Sequence, residues 1–210
     1  MTRDEAYKLM TEMLKSKNLQ KHGLAVEAVM RALCKYLHDR HPRPDRGSIN
    51  NMDSRIRGND NMEEFNEDEW AIVGLLHDAD YELVEKDPTR HTLVTAEKLR
   101  PLGVSERIIE GIKAHHDGIK ETRDNLMEKS VYAADELSGL ITAVALVRPD
   151  KKLASVTVES VMKKFDQKSF AAGAKREQIK ACEKELNIPL EEFVGIALKA
   201  MQGISDELGL

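Results

Sequence analysis

The stretch AIVGLLHDAD (71–80) runs apolar residues from Ala71 to Leu76 straight into His77-Asp78, with Asp80 following. Imidazole and carboxylate entering a core either hydrogen-bond within it or bind a metal ion. One such pair decides little, but the chain repeats the theme. His22, His91, His115-His116 and Asp135 recur along it, mostly beside apolar faces. Burying unpaired carboxylates such as Asp78 and Asp135 would cost several kcal/mol. A divalent cation removes that cost, and imidazole with carboxylate suits Zn, Mn, Fe or Co. Four histidines and two aspartates supply enough donors for two metals with one carboxylate bridging. Such a pair can hold a bridging hydroxide, the nucleophile for in-line attack on phosphorus.

These residues need helices to carry them. Apolar residues recur with a 3.6-residue period over 4–15, 22–38, 67–77, 90–99, 105–116 and 127–147, and again near 157–165, 175–186 and 189–207. Ser105 reads as an N-cap, and the acidic start NEDEW suits a helix N-terminus. His22 then falls at the start of one helix and His77-Asp78 at the end of another. His91 opens a third, His115-His116 end a fourth, and Asp135 lies in the most apolar one. No segment of real length alternates with period two, and aromatics make up only 4% of residues. The expected fold is therefore all-α.

Composition removes several function classes. The net charge is −5 with no strongly basic face, which argues against a nucleic-acid partner. The lysine pairs at 151–152 and 163–164 read as solvated helix faces. Cys34 and Cys182 lack metal-ligand spacing and read as buried thiols of a reducing compartment. The start MTRDEAYKLM lacks an apolar leader and no run spans a bilayer, so a cytoplasmic location is expected. Residues 41–62 are rich in Arg, Asn, Asp, Gly and Pro and separate two well-formed helices. MDSRIRGND is similar to a peptide encoded by dispersed repeat elements read through in frame. The segment reads as a surface insertion, with a functional lid as the rival, because lengthening a loop costs little entropy.

The ordered series, with GLLHDAD and YAADEL, resembles the HD superfamily of metal-dependent phosphohydrolases over roughly residues 18–147. The resemblance implies a helical bundle in which His22, His77, Asp78, His91, His115 and Asp135 are metal ligands, with Asp78 bridging. It favours His115 over His116 as ligand and gives His116 a place beside the ligands or on the substrate phosphate; periodicity alone leaves the two open. Asp78 and His116 are the expected catalytic groups. One or two divalent ions (Mn, Fe, Zn, Co or Mg) would be the cofactor. A small phosphorylated substrate, such as a nucleotide, would be the partner, rather than a duplex or a membrane; an oligomer is compatible. The implied organisation is an HD-type domain over 1–150 and a C-terminal helical extension over 151–210 packed on it.

Two other readings share these residues. The ligand series is similar to that of mixed-valent di-iron oxygenases, and an HD-like bundle can also be an inactive binding module. The chain lacks the GYP element of cyclic-dinucleotide phosphodiesterases and has Ala79-Asp80 where several members have Gly-Lys. Asp80 reads either as a carboxylate orienting a ligand imidazole or as a plain helix-end charge. Glu27 is expected on another face than His22, and His38 and His41 as surface loop histidines. Arg90, Lys113, Lys120 and Arg148 are candidate phosphate cations, each also readable as a solvated charge. The tail, with KSFAAGAKREQI, shows no identifiable chemistry.

Overall fold

The computed structural model describes residues 1–40 and 65–210, so the expected insertion 41–62, with His41, lies outside the described residues. Helices follow in the order α1 (Arg3–Met13), α2 (Lys17–Arg40), α3 (Glu67–Leu76), α4 (Leu93–Leu99), α5 (Glu106–Ala114) and α6 (Leu126–Leu146). Then come α7 (Val158–Phe165), α8 (Arg176–Glu185), α9 (Leu190–Gln202) and α10 (Ser205–Leu208). Among the described residues there is no strand, and the fold is all-α. Caps set several of these starts. Thr2 and Glu5 form a reciprocal capping box on α1. Asn66 accepts from the N–H groups of Asp68 and Glu69 at the head of α3, and Asn125 from Glu128 on α6.

Three boundaries and one cap differ from the periodicity reading. Helix α2 begins before residue 22, because Ser16 accepts from Leu19 and Gln20 and starts the helix ahead of its apolar stripe. His22 therefore sits inside α2. Residues 77–92 form a series of turns, and α4 begins only at Leu93. Its cap comes from a distance, as Asp80 accepts from the N–H groups of Thr92 and Thr95. The expected helix over 189–207 breaks at Gly203-Ile204 into α9 and α10. Ser105 precedes α5 but makes no side-chain cap bond.

Helix α2 packs along α3, α6 and α9; α5 lies on α3 and α6; α8 covers α6. A single apolar cluster runs from Ala6 on α1 to Leu208 on α10 through Trp70, Ile112, Leu140 and Phe193. Cys34 and Cys182 are buried in it as free thiols. No helix among the described residues is long and apolar enough to cross a membrane.

The α2–α3 crossing positions the first half of the site. A Cβ at Gly74 would lie 2.8 Å from the Val26 carbonyl oxygen and 2.9 Å from Glu27 N. One at Gly23 would lie 2.9 Å from the Leu75 oxygen. Only glycines let the two backbones come this close, and the contact brings His22 and His77 together. Gly74→Ala is expected to cost about 1–3 kcal/mol by overpacking, read as a lower urea midpoint at unchanged slope. An unchanged midpoint would show that the crossing tolerates a wider spacing.

Candidate metal centre

His77 and His115 occupy the same local position, the residue that follows the last turn of α3 and of α5. There a helix leaves carbonyls without intrahelical donors. His77 Nδ1 donates to the Gly74 oxygen at 2.8 Å, and His115 Nδ1 to the Ile112 oxygen at 2.6 Å. A carbonyl can only accept, so Nδ1 carries the proton and Nε2 keeps a lone pair. His91 is fixed in the same sense by donating Nδ1–H to Asp80 at 2.8 Å. On α2, His22 Nδ1 faces Ser138 Oγ at 3.2 Å, and that hydroxyl spends its own proton on the Asp135 carbonyl. Four Nε2 lone pairs therefore point into one region.

They meet in two places. His22 and His77 Nε2 lie 3.2 Å apart, and His91 and His115 Nε2 lie 2.9 Å apart. Asp78 joins them. Its Oδ2 is 3.6 Å from His22 Nε2 and 3.5 Å from His77 Nε2. Its Oδ1 is 3.1 Å from His91 Nε2 and 3.4 Å from His115 Nε2. Asp135 Oδ1 completes the first group, 2.9 Å from His22 and 3.5 Å from His77. The result is two ligand-type groups, His22-His77-Asp78-Asp135 and Asp78-His91-His115, sharing one carboxylate. Neutral imidazoles of this tautomer offer no hydrogen to one another or to the carboxylates. A divalent cation suits both points, and the O/N donor set fits it. His116 stays outside both groups, with its ring 5.1 Å from that of His91.

The model of the HD domain family matches residues 19–140, more than half of the chain. The chain belongs to the HD domain family. No curated protein and no solved structure matches it.

Several sequence readings can now be placed in the HD domain. Asp80 is fully buried and accepts from His91 Nδ1, Thr92 N and Thr95 N, all within 2.9 Å. Of its two readings, the structure shows the orienting carboxylate. It also holds Thr92 at φ 72°, a strained backbone for a β-branched residue. Glu27 faces away and pairs with Arg3 and Arg31. His38 is exposed at the end of α2, its ring on Phe65. Lys113 pairs with Glu110, Lys120 with Glu110 and Glu128, and Arg148 binds Ser155. None of these three, nor Arg90, is among the residues lining the cavity above the metal groups.

That cavity, about 420 Å³, is walled in part by residues that no motif or spacing had marked. Gly173, Lys175 and Gln178 reach it from the tail that showed no chemistry, and Tyr81 and Glu136 complete it. Ser138, which fixes His22, was also missed. Its one signal is its place three residues after Asp135, one helical turn along α6.

Protons and metal compete for these HD-domain side chains. Burial pushes the His77 imidazole down, but the Asp78 charge and the Asp135 hydrogen bond outweigh it and raise its pKa to about 9. Burial likewise opposes the bonds from His91 to Asp78 and Asp80, which prevail and raise it to about 9. For Asp78, burial is overcome by the His77 charge and by hydrogen bonds from His115 and His91, leaving it well below the carboxylate range. Asp135 is driven far down by His22 and His77, again against burial.

The signs follow. In the metal-free protein the His77 and His91 contribution is complete below their ordinary 6.5 and is lost as pH rises towards about 9. The carboxylate contribution is present above the ordinary Asp value of 3.8 and is lost as pH falls below it. Metal binding needs the deprotonated imidazoles, so it strengthens over the same upper window. Between about pH 6.5 and 8.5 the Tm of chelator-treated protein should therefore fall while the gain in Tm on adding Mn or Zn widens. Parallel pH profiles with and without metal would contradict the assignment.

Proposed function

We propose that the chain is a metal-dependent phosphohydrolase acting on a phosphate monoester or a nucleotide phosphodiester or anhydride. The observation that carries this reading is the shared carboxylate. Asp78 presents one oxygen to each donor group at the floor of an open cavity. His22, His77, Asp78 and Asp135 would hold one divalent ion, and Asp78, His91 and His115 a second. When bound, such ions supply Lewis-acid chemistry: they draw charge from a phosphoryl group and acidify water. In the reaction a water oxygen bonds to phosphorus, the bond from phosphorus to the leaving oxygen breaks, and that oxygen takes up a proton.

The chain's own residues then divide the remaining work. Asp80, through His91, keeps one donor group in register. His116 lines the cavity, and its Nδ1 has no hydrogen-bond partner among the described residues. Burial, with the charges of His91 and His115, holds its pKa below the ordinary 6.5. A neutral imidazole at that place suits a hydrogen bond to a phosphoryl oxygen or the acceptance of a proton from the attacking water. Glu136 also lines the cavity; burial and the neighbouring Asp135 charge raise its pKa.

The test is hydrolysis of a nucleotide and p-nitrophenyl phosphate panel, with and without a divalent ion. Asp78→Ala should abolish turnover. His116→Ala should lower kcat about 10²-fold at unchanged metal content. An active, metal-free Asp78→Ala protein would overturn the reading.

A further inference from the structure

Part of the cavity wall comes from residues beyond the family match, and it carries the one lysine or arginine among the described lining residues, Lys175. Its position is held by the backbone around it. Arg176 spreads its guanidinium over the preceding loop, donating to the carbonyls of Ala171 and Ala174 at 2.7 Å, Phe170 at 2.5 Å and Phe165 at 3.3 Å. Four bonds from one planar group fix residues 165–175 as a rigid arch. Lys175 N donates to Glu136 Oε2 at 3.2 Å, next to Asp135 on α6.

Gln178 anchors the arch on the other side. It is 3% exposed, and its Nε2 donates to the Tyr132 oxygen at 2.9 Å and the His115 oxygen at 3.4 Å. The second of these is the carbonyl of a candidate ligand, so the tail is tied directly to the metal site. Gln178 Oε1, buried in the cavity wall, has no partner among the described residues. Lys175 is itself exposed, and its Nζ has no hydrogen bond or ion pair among the described residues. Lys113, Lys120 and Arg123, by contrast, are spent on Glu110, Glu128 and Asp117. A rigid backbone thus carries a lysine with an unspent ammonium at a cavity whose titratable lining is otherwise histidine, tyrosine and carboxylate.

Resting on the phosphohydrolase reading, we infer that Lys175 is the substrate-phosphate cation and that residues 165–178 form the specificity wall of the site. Lys175 meets a non-bridging oxygen of a terminal phosphate. Gln178, bound through Nε2 to the His115 carbonyl, keeps that wall in register with the donor groups, and a terminal phosphate offers Lys175 more charge than a diester does. The tail is then part of the binding site as well as a cover for α6.

The experiment uses full-length protein and two readouts, with inorganic phosphate as the binding probe. Lys175→Met should weaken phosphate binding to the metal-loaded protein about tenfold or more by calorimetry. Metal content and Tm should be unchanged. In the substrate panel, the same variant should raise KM for phosphate monoesters by a similar factor with a smaller change in kcat, and Lys175→Arg should restore most of the loss. Phosphate affinity and KM both unchanged in Lys175→Met would overturn the inference, as would wild-type protein that takes up metal but no phosphate. Phosphate binding that depends on Lys175 in a protein with no turnover would support the inference while the hydrolase reading fails, so the two failures are distinguishable.

Discussion

Six side chains bring electron pairs to two points with no hydrogen to share. In the tautomer set by their Nδ1 partners, four imidazole Nε2 atoms and two carboxylates gather in two groups, with neighbouring donor atoms 2.9–3.6 Å apart. Such an arrangement is repulsive unless protons or cations enter it. Protons are the answer in the metal-free protein, with His77 and His91 raised to about 9. Divalent ions are the answer the donor chemistry favours. Much of the fold around this point is explained by the need to hold that unfavourable gathering in place.

The holding devices are local and simple. Two histidines stand just past helix ends, where a waiting carbonyl orients the ring. A third is oriented by Asp80, which also caps α4 and fixes Thr92 in the left-handed region. The fourth is oriented by Ser138, one turn along from Asp135. Glycines at 23 and 74 bring α2 and α3 close enough for two of the rings to meet. These are the interactions that keep ligating histidines in one tautomer and one orientation.

Much of this was legible in the sequence because it depends on short-range rules. Helical periodicity marked the elements, and a histidine or His-Asp pair ending an apolar helix is visible in the letters alone. The choice between His115 and His116 was not, since both keep company with Ile112; only the carbonyl at Ile112 and the approach of His91 separate them. Asp80 offered two roles, and its distance in sequence from Thr92 and Thr95 hid the cap it provides. Lys175 and Gln178 were illegible for a different reason. They reach the cavity through the packing of α8 on α6, a contact between segments about forty residues apart that no local pattern encodes. Of the four cations that the sequence left open between phosphate contact and solvated charge, three are spent on nearby partners and none lines the cavity.

The central claim is that a cation, more than a hydrogen bond, satisfies these converging groups. Its most direct test is titration of chelator-treated, full-length protein with Mn, Fe, Zn and Co, following bound metal per chain and the protons released. The account predicts binding that saturates at two ions per chain and displaces protons at neutral pH. Protein that binds none of these metals, with its histidines still titrating freely, would contradict it.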